Sequence, residues 1–398
     1  IMNKGKSIVE GCTFVNEKTE SKGGMLSYQR SSDFASESGL VEVYNTTFES
    51  RGSDAKVCGI DVIDEGISTV YNCIFTNFQK SSSAEGNAIR LNNSGIYNEI
   101  YDNVFNNCGK GGYVVFCSGS GNDFHHNKFV FDKLSESCGC IKIQSKAKNV
   151  KHSIHENHFH DCQADGKGVL YYECEQNGEA KIYSNVFENL KGPLAAFNII
   201  ASLSVRITFD NNTILNNIPG GEQYLCSFDF KGTYTEQSTF TISNSKFINN
   251  ECKSPYGGGI GLWIQNKIGQ YGYKLFNLQF ENCIYERNHA AYMKTSQKST
   301  NGKGGAIQIG FSDTTKLVNP AFINCQFNHN RADNGGGALS ISIKGNAFIK
   351  DCSFNNNSAC LNPNGEEIHC GGAIHFDSIA KAALAKHSIE NSSFISNK

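Results

Sequence analysis

Proline is scarce in this sequence, 5 residues in 398, which excludes collagen-like chains and proline-rich linker arrays. Charge is scarce as well: 19% of residues are charged, and 36 Lys+Arg against 38 Asp+Glu leave a net charge of −2. Without a concentrated basic field a protein cannot displace the counterions of a phosphate backbone, so the composition argues against a nucleic-acid partner. No window approaches about 18 consecutive apolar residues, so no segment reads as a helix that enters a membrane. The opening Ile1-Met2-Asn3-Lys4-Gly5-Lys6-Ser7 also lacks the apolar core of a signal peptide. Helical stretches of about 10 residues are missing too, because Gly, Asn and β-branched residues recur too often. Cys-x2-Cys pairs are absent and Cys138-Gly139-Cys140 is too closely spaced for a zinc ribbon, so no metal and no cofactor are expected.

What is present is an apolar fraction of 39% with 40 Gly, enough for a large core, arranged in one repeat. Its aromatic position falls at Phe14, Phe48, Phe75, Phe105, Phe129, Phe159, Phe187, Ile214, Phe247, Tyr285, Phe327, Phe354 and Phe394. The mean spacing is about 32 residues. Five residues earlier stands a β-branched or aromatic residue in every copy, from Val9 to Ile389. Two residues earlier stands a small polar residue or a thiol, from Cys12 to Ser392. Between copies lie glycine pairs, as in 257 to 260, 304 to 307, 336 to 339 and 371 to 374, followed by period-two stretches such as Leu339-Ser340-Ile341-Ser342-Ile343. Ankyrin and tetratricopeptide repeats have similar periods but need helices, and leucine-rich repeats need Leu columns. The expected fold is therefore all-β: one right-handed parallel β-helix of about thirteen coils over residues 1–398. Opening on Ile1 and closing at Asn397-Lys398 inside a motif, the sequence reads as a fragment, with targeting and anchoring segments expected outside it.

In such a coil, Asn103, Asn127, Asn157, Asn185 and Asn212 share one register and are expected to form a side-chain amide ladder, with Asn also suited to a left-handed bend. The Phe column is expected to stack inside the rod. The glycine pairs read as residues needed for positive φ or close coil contact. Cys283, Cys325 and Cys352 are consecutive in the ladder column, where a strand spacing of about 4.8 Å favours free thiols over disulfides. Cys360 and Cys370 bracket a loop and are the most plausible disulfide. Glycosylation sequons occur at Asn45, Asn92, Asn211, Asn356 and Asn391, three of them inside the repeat motif, so they say little about secretion.

The histidines His125, His126, His152, His155, His158 and His160 cluster in sequence. Four residues before the aromatic position, Tyr44, Tyr71, Tyr101, His125, His155 and Tyr183 form a stripe through six successive coils, facing outward by strand alternation. Such a stripe either stabilises the sheet by stacking between coils or offers a platform for sugar rings or a partner protein. Asp61, Asp64 and Glu65 are the only compact acidic group, read as a solvated loop.

The pairing of Gly-Gly-Ala-Ile with Phe-x-x-Asn, as in Phe247-Asn250, Tyr285-Asn288, Phe327-Asn330, Phe354-Asn357 and Phe394-Asn397, resembles the polymorphic outer-membrane proteins of chlamydiae and similar surface proteins of trichomonads. The likeness is best from about residue 240 to 398 and implies a β-helical, adhesin-like module at the cell surface or outside the cell. Its partner would be a host or matrix glycan or protein. The competing class is a polysaccharide lyase or glycoside hydrolase of the pectin-lyase-like fold, which needs paired carboxylates or a Ca²⁺ site with an Arg or Lys base. Asn-Thr-Asp, Asp-Asp, His-Gly and Arg-Ile-Lys motifs are all missing, so no catalytic residue is assigned. A third class is a filament subunit, since a rod with uncapped ends allows end-to-end self-association.

Overall fold

The computed structural model describes residues 6–17, 22–29, 39–51, 56–63, 66–78, 86–92, 97–109, 112–131, 139–145, 147–162, 168–174, 178–191, 197–201, 205–218, 226–229, 238–252, 260–264, 276–291, 302–311, 318–343, 345–359, 370–376 and 386–398. Among them there is no helix. Successive coils contribute strands to three parallel sheets, as a parallel β-helix requires. Sheet A has 13 strands from Lys6–Glu10 to Ser388–Glu390, sheet B has 13 from Thr13–Asn16 to Ser393–Ile395, and sheet C has 12 from Lys22–Gln29 to Ile374–Phe376. A short fourth sheet pairs Glu251–Cys252, His289–Ala290 and Arg331–Ala332. The column before the bend runs unbroken in sheet A from Val9 through Val43, Val70, Ile100 and Phe124 to Ile349 and Ile389.

Two tight corners flank most sheet-B strands, and both work alike: one residue takes a left-handed conformation, and the next points inward. At the first corner the left-handed residues include Asn45, Asn72, Asp102, His126, Glu156, Ser184 and Asn211, with φ between 50° and 56°. The sequence reading placed the left-handed conformation on the ladder asparagines themselves. It falls one residue earlier, because a ladder residue must aim its amide into the rod while the corner needs its reversal just before.

The expected ladder is continuous. Asn103, Asn127, Asn157 and Asn185 each donate through Nδ2 to the Oδ1 of the next member, ending on Asn212, at 2.9–3.0 Å. Each Oδ1 also accepts the backbone N–H of the preceding corner residue, as from Asn103 N to Asn127 at 3.2 Å and from Asn127 N to Asn157 at 3.1 Å. That second bond explains why Thr, Ser or Cys can hold the column elsewhere: Ser245 Oγ accepts from Asn212 N at 3.1 Å, and Cys352 Sγ accepts from Cys325 N at 3.4 Å. Cys283, Cys325 and Cys352 are free thiols. Cys370 is disulfide-bonded, and Cys360 lies outside the described residues.

A second ladder at the other corner was not read from the sequence. Asn217, Asn250, Asn288, Asn330 and Asn357 donate in turn to the next Oδ1, the last to Asn397, at 2.9–3.1 Å. From Asn250 onward these are the asparagines of the Phe-x-x-Asn motif, and Asn217 holds the same place after Ile214. The glycine pairs are tied to them: a Cβ on Gly305 would lie 2.5 Å from the carbonyl oxygen of Arg331, and one on Gly337 would lie 2.7 Å from Ser358 N. Arg331 and Ser358 directly follow the ladder residues Asn330 and Asn357. The two halves of the motif are therefore one contact between backbones, and only glycine permits it.

Inside the rod the aromatic column stacks with centroids 4.7–5.1 Å apart from Phe14 to Phe187, and again from Phe247 to Phe394. Ile214 interrupts it, and Phe209 of sheet A leans into the gap, 6.5 Å from Phe187 and 6.3 Å from Phe247.

Candidate functional site

Tyr44, Tyr71, Tyr101, His125, His155 and Tyr183 occupy one register line of sheet A. Their neighbours in each strand, such as Val43, Val70 and Phe124, are buried, so alternation sends the six rings outward, where all are half-buried. The rings stack with centroids 4.4–4.9 Å apart and planes within 12° of parallel. Strand spacing dictates that geometry, and it has a chemical consequence: the π faces meet one another. What the stripe offers to a partner is ring edges, phenol hydroxyls and the polar groups alongside, not a flat aromatic platform.

Those polar groups are mostly carboxylates. Tyr44 Oη donates to Glu10 at 2.7 Å, and Tyr71 Oη donates to Glu42, which also pairs with Lys6. The Glu10 hydrogen bond, more than desolvation, pushes the Tyr44 phenol up to about 12. Further along, His155 places Nε2 3.2 Å from Asp123 and Nδ1 2.9 Å from Glu156, while His125 Nε2 lies 3.5 Å from Glu99. The hydrogen bond from His155 holds the Glu156 carboxyl below its ordinary range, with the charge of His126 contributing. Both stripe histidines thus face carboxylates of this same surface. The stripe ends where Asp210 takes the next place, accepting from Ser243 Oγ at 2.7 Å and Asn244 Nδ2 at 2.8 Å.

Of the six clustered histidines, His125, His126 and His155 meet beside Glu156, with ring centroids 4.9–6.2 Å apart and His126 Nδ1 2.9 Å from His125 Nδ1, and the other three do not join them. His125 and His155 belong to the stripe, His126 is at an exposed corner, and His158 and His160 face outward from sheet B. His152 points inward and is 3% exposed. It ends an interior polar row in which Asn98 donates to Asn122 Oδ1 at 2.7 Å, and Asn122 Nδ2 meets His152 Nδ1 at 3.1 Å. Burial pushes its imidazole down to about 3. The signal was available: His152 and His155 are three residues apart on one strand, hence on opposite faces.

The acidic group is corrected in part. Asp61 is not in a solvated loop: it sits in the sheet-C strand Lys56–Ile63, 3% exposed, in a two-pronged pair with Arg90 of the next coil. Register places the two side by side, and burial of Asp61 demands the partner. Asp64 and Glu65 lie outside the described residues. Of the sequon asparagines, Asn45, Asn211, Asn356 and Asn391 are exposed and left-handed at corners, and Asn92 is exposed at a strand end. Comparison of the chain with protein-family models, with curated proteins and with solved structures finds no match.

Proposed function

We propose that the chain is a non-catalytic, adhesin-like module that acts at the cell surface or outside the cell and binds a glycan or a protein along the outer face of sheet A. The observation that carries the reading is the six-ring stripe with its row of carboxylates, a continuous contact line about 24 Å long at the strand spacing. Its edges, hydroxyls and carboxylates suit a polyhydroxylated chain or a basic protein surface better than an acidic one. The resemblance of the repeat pairing to that of bacterial and protozoan surface proteins supports the location.

The test is the triple variant Tyr71→Ser, Tyr101→Ser, Tyr183→Ser, measured for thermal stability and for adhesion to host cells and glycan arrays. Binding is expected to fall by tenfold or more, about 1.4 kcal/mol. Lost stability with unchanged binding would refute the contact role, and turnover of a polysaccharide by the unaltered chain would refute the non-catalytic one.

A further inference from the structure

Two buried cysteines from different columns approach each other across the interior. Cys140 lies near the start of the sheet-C strand Gly139–Ser145, and Cys162 follows the left-handed corner residue Asp161 after the sheet-B strand His158–His160. They are separated by 22 residues, less than one coil, so the contact joins neighbouring coils from different sheets. Both are fully buried, and their sulfurs are 3.4 Å apart. The ladder thiols stand one above another at the strand spacing, whereas this pair comes from two different columns, so no backbone pairing fixes its separation. Closing to a bonded distance of about 2.05 Å needs a displacement of about 1.4 Å.

We infer that Cys140 and Cys162 form an intramolecular disulfide when the chain folds in an oxidising compartment. One cysteine, as thiolate, attacks a sulfur of a small disulfide such as oxidised glutathione, releasing one small thiol and leaving a mixed disulfide. The second cysteine loses its proton and attacks the protein-side sulfur of that bond, so the Cys140–Cys162 bond forms and the second small thiol departs. Two electrons pass to the small disulfide, and the two cysteine protons end on its two thiols. Burial, reinforced by the hydrogen bond with Cys140, holds the Cys162 thiol well above its ordinary range. Exchange therefore proceeds as the coils assemble and is slow once they have closed.

The test uses the full chain refolded in a reduced/oxidised glutathione buffer, alkylated without reduction and mapped by peptide mass spectrometry. A Cys140–Cys162 linked peptide about 2 Da below the sum of its reduced halves is expected. Because Cys370 is also disulfide-bonded, the effect of reductant on the melting temperature is read against the variant Cys140→Ala, Cys162→Ala. The unaltered chain should lose several degrees more on reduction than the variant. Folded, reduced chain given the same oxidant should form the link at least tenfold more slowly. Alkylation of both residues in the oxidised, refolded sample would overturn the inference, as would partnership of either with another cysteine. The mapping needs only the unaltered chain, so it decides even if the variant does not fold. It is also independent of any ligand, so its failure leaves the contact surface on sheet A untouched.

Discussion

Replacement of Asn157, in the middle of the first ladder, separates the ladder account from simple core packing. Its Oδ1 accepts from Asn127 N at 3.1 Å and Asn127 Nδ2 at 2.9 Å, and its Nδ2 donates to Phe124 O at 2.9 Å and Asn185 Oδ1 at 3.0 Å. In Asn157→Leu the shape is nearly kept, but the Asn127 N–H and the Phe124 carbonyl lose these bonds inside the rod. At about 1–3 kcal/mol for each buried group left unsatisfied, the expected cost is about 4 kcal/mol. In Asn157→Ser the hydroxyl still accepts the Asn127 N–H, as Ser245 does for Asn212 N, so only the carbonyl is deprived and the cost is about 2 kcal/mol. Urea unfolding of the three proteins gives the energies, and native-state hydrogen exchange at Asn127 N–H reports the lost bond directly. Exchange there should accelerate more in the Leu variant than in the Ser variant. If Leu costs no more than Ser, the polar column is decided by volume rather than by hydrogen bonding, and the ladder argument fails.

Acid should weaken the fold through His152. Its imidazole is held neutral with a folded value of about 3, against about 6.5 in the unfolded chain, so the unfolded state binds the proton first. The stability of the neutral form is complete above about pH 6.5 and declines as pH falls toward 3, by about 2 kcal/mol at pH 5. Denaturation measured between pH 8 and pH 4.5 should therefore show a shallower acid decline in His152→Gln, and identical profiles would contradict the burial assignment. Gly337→Ala should destabilise by about 2–3 kcal/mol, since its Cβ would lie 2.0 Å from the Gly372 carbonyl oxygen and backbone must move. Gly11→Ala is the contrast: the added Cβ meets nothing within 4 Å, so only the φ of +61° is penalised and a cost of about 1 kcal/mol is expected. Equal melting temperatures for the two variants would refute close coil contact as the reason for the motif.

By itself the sequence determined the fold, the coil count and the contents of each column. In a parallel, in-register stack, equivalent positions of successive coils share one environment, so a requirement at one level is written again at the next. That is why Val9, Val43 and Val70, or Phe48, Phe75 and Phe105, recur at one place in the repeat and pair within one sheet. Relations between columns were decided only by the tertiary structure. The path from sheet B to sheet C passes through connections of changing length, so no fixed spacing reveals that Gly305 rests against Arg331 or that Cys140 meets Cys162; Phe209 stands at a fixed offset from Ile214, but only its side-chain direction places it in the gap. The stripe divides along the same line. Its register was legible because the period repeats it, whereas the loss of its ring faces to mutual stacking, and the carboxylates that hold Tyr44 and His155, follow from side-chain directions that only neighbouring coils fix.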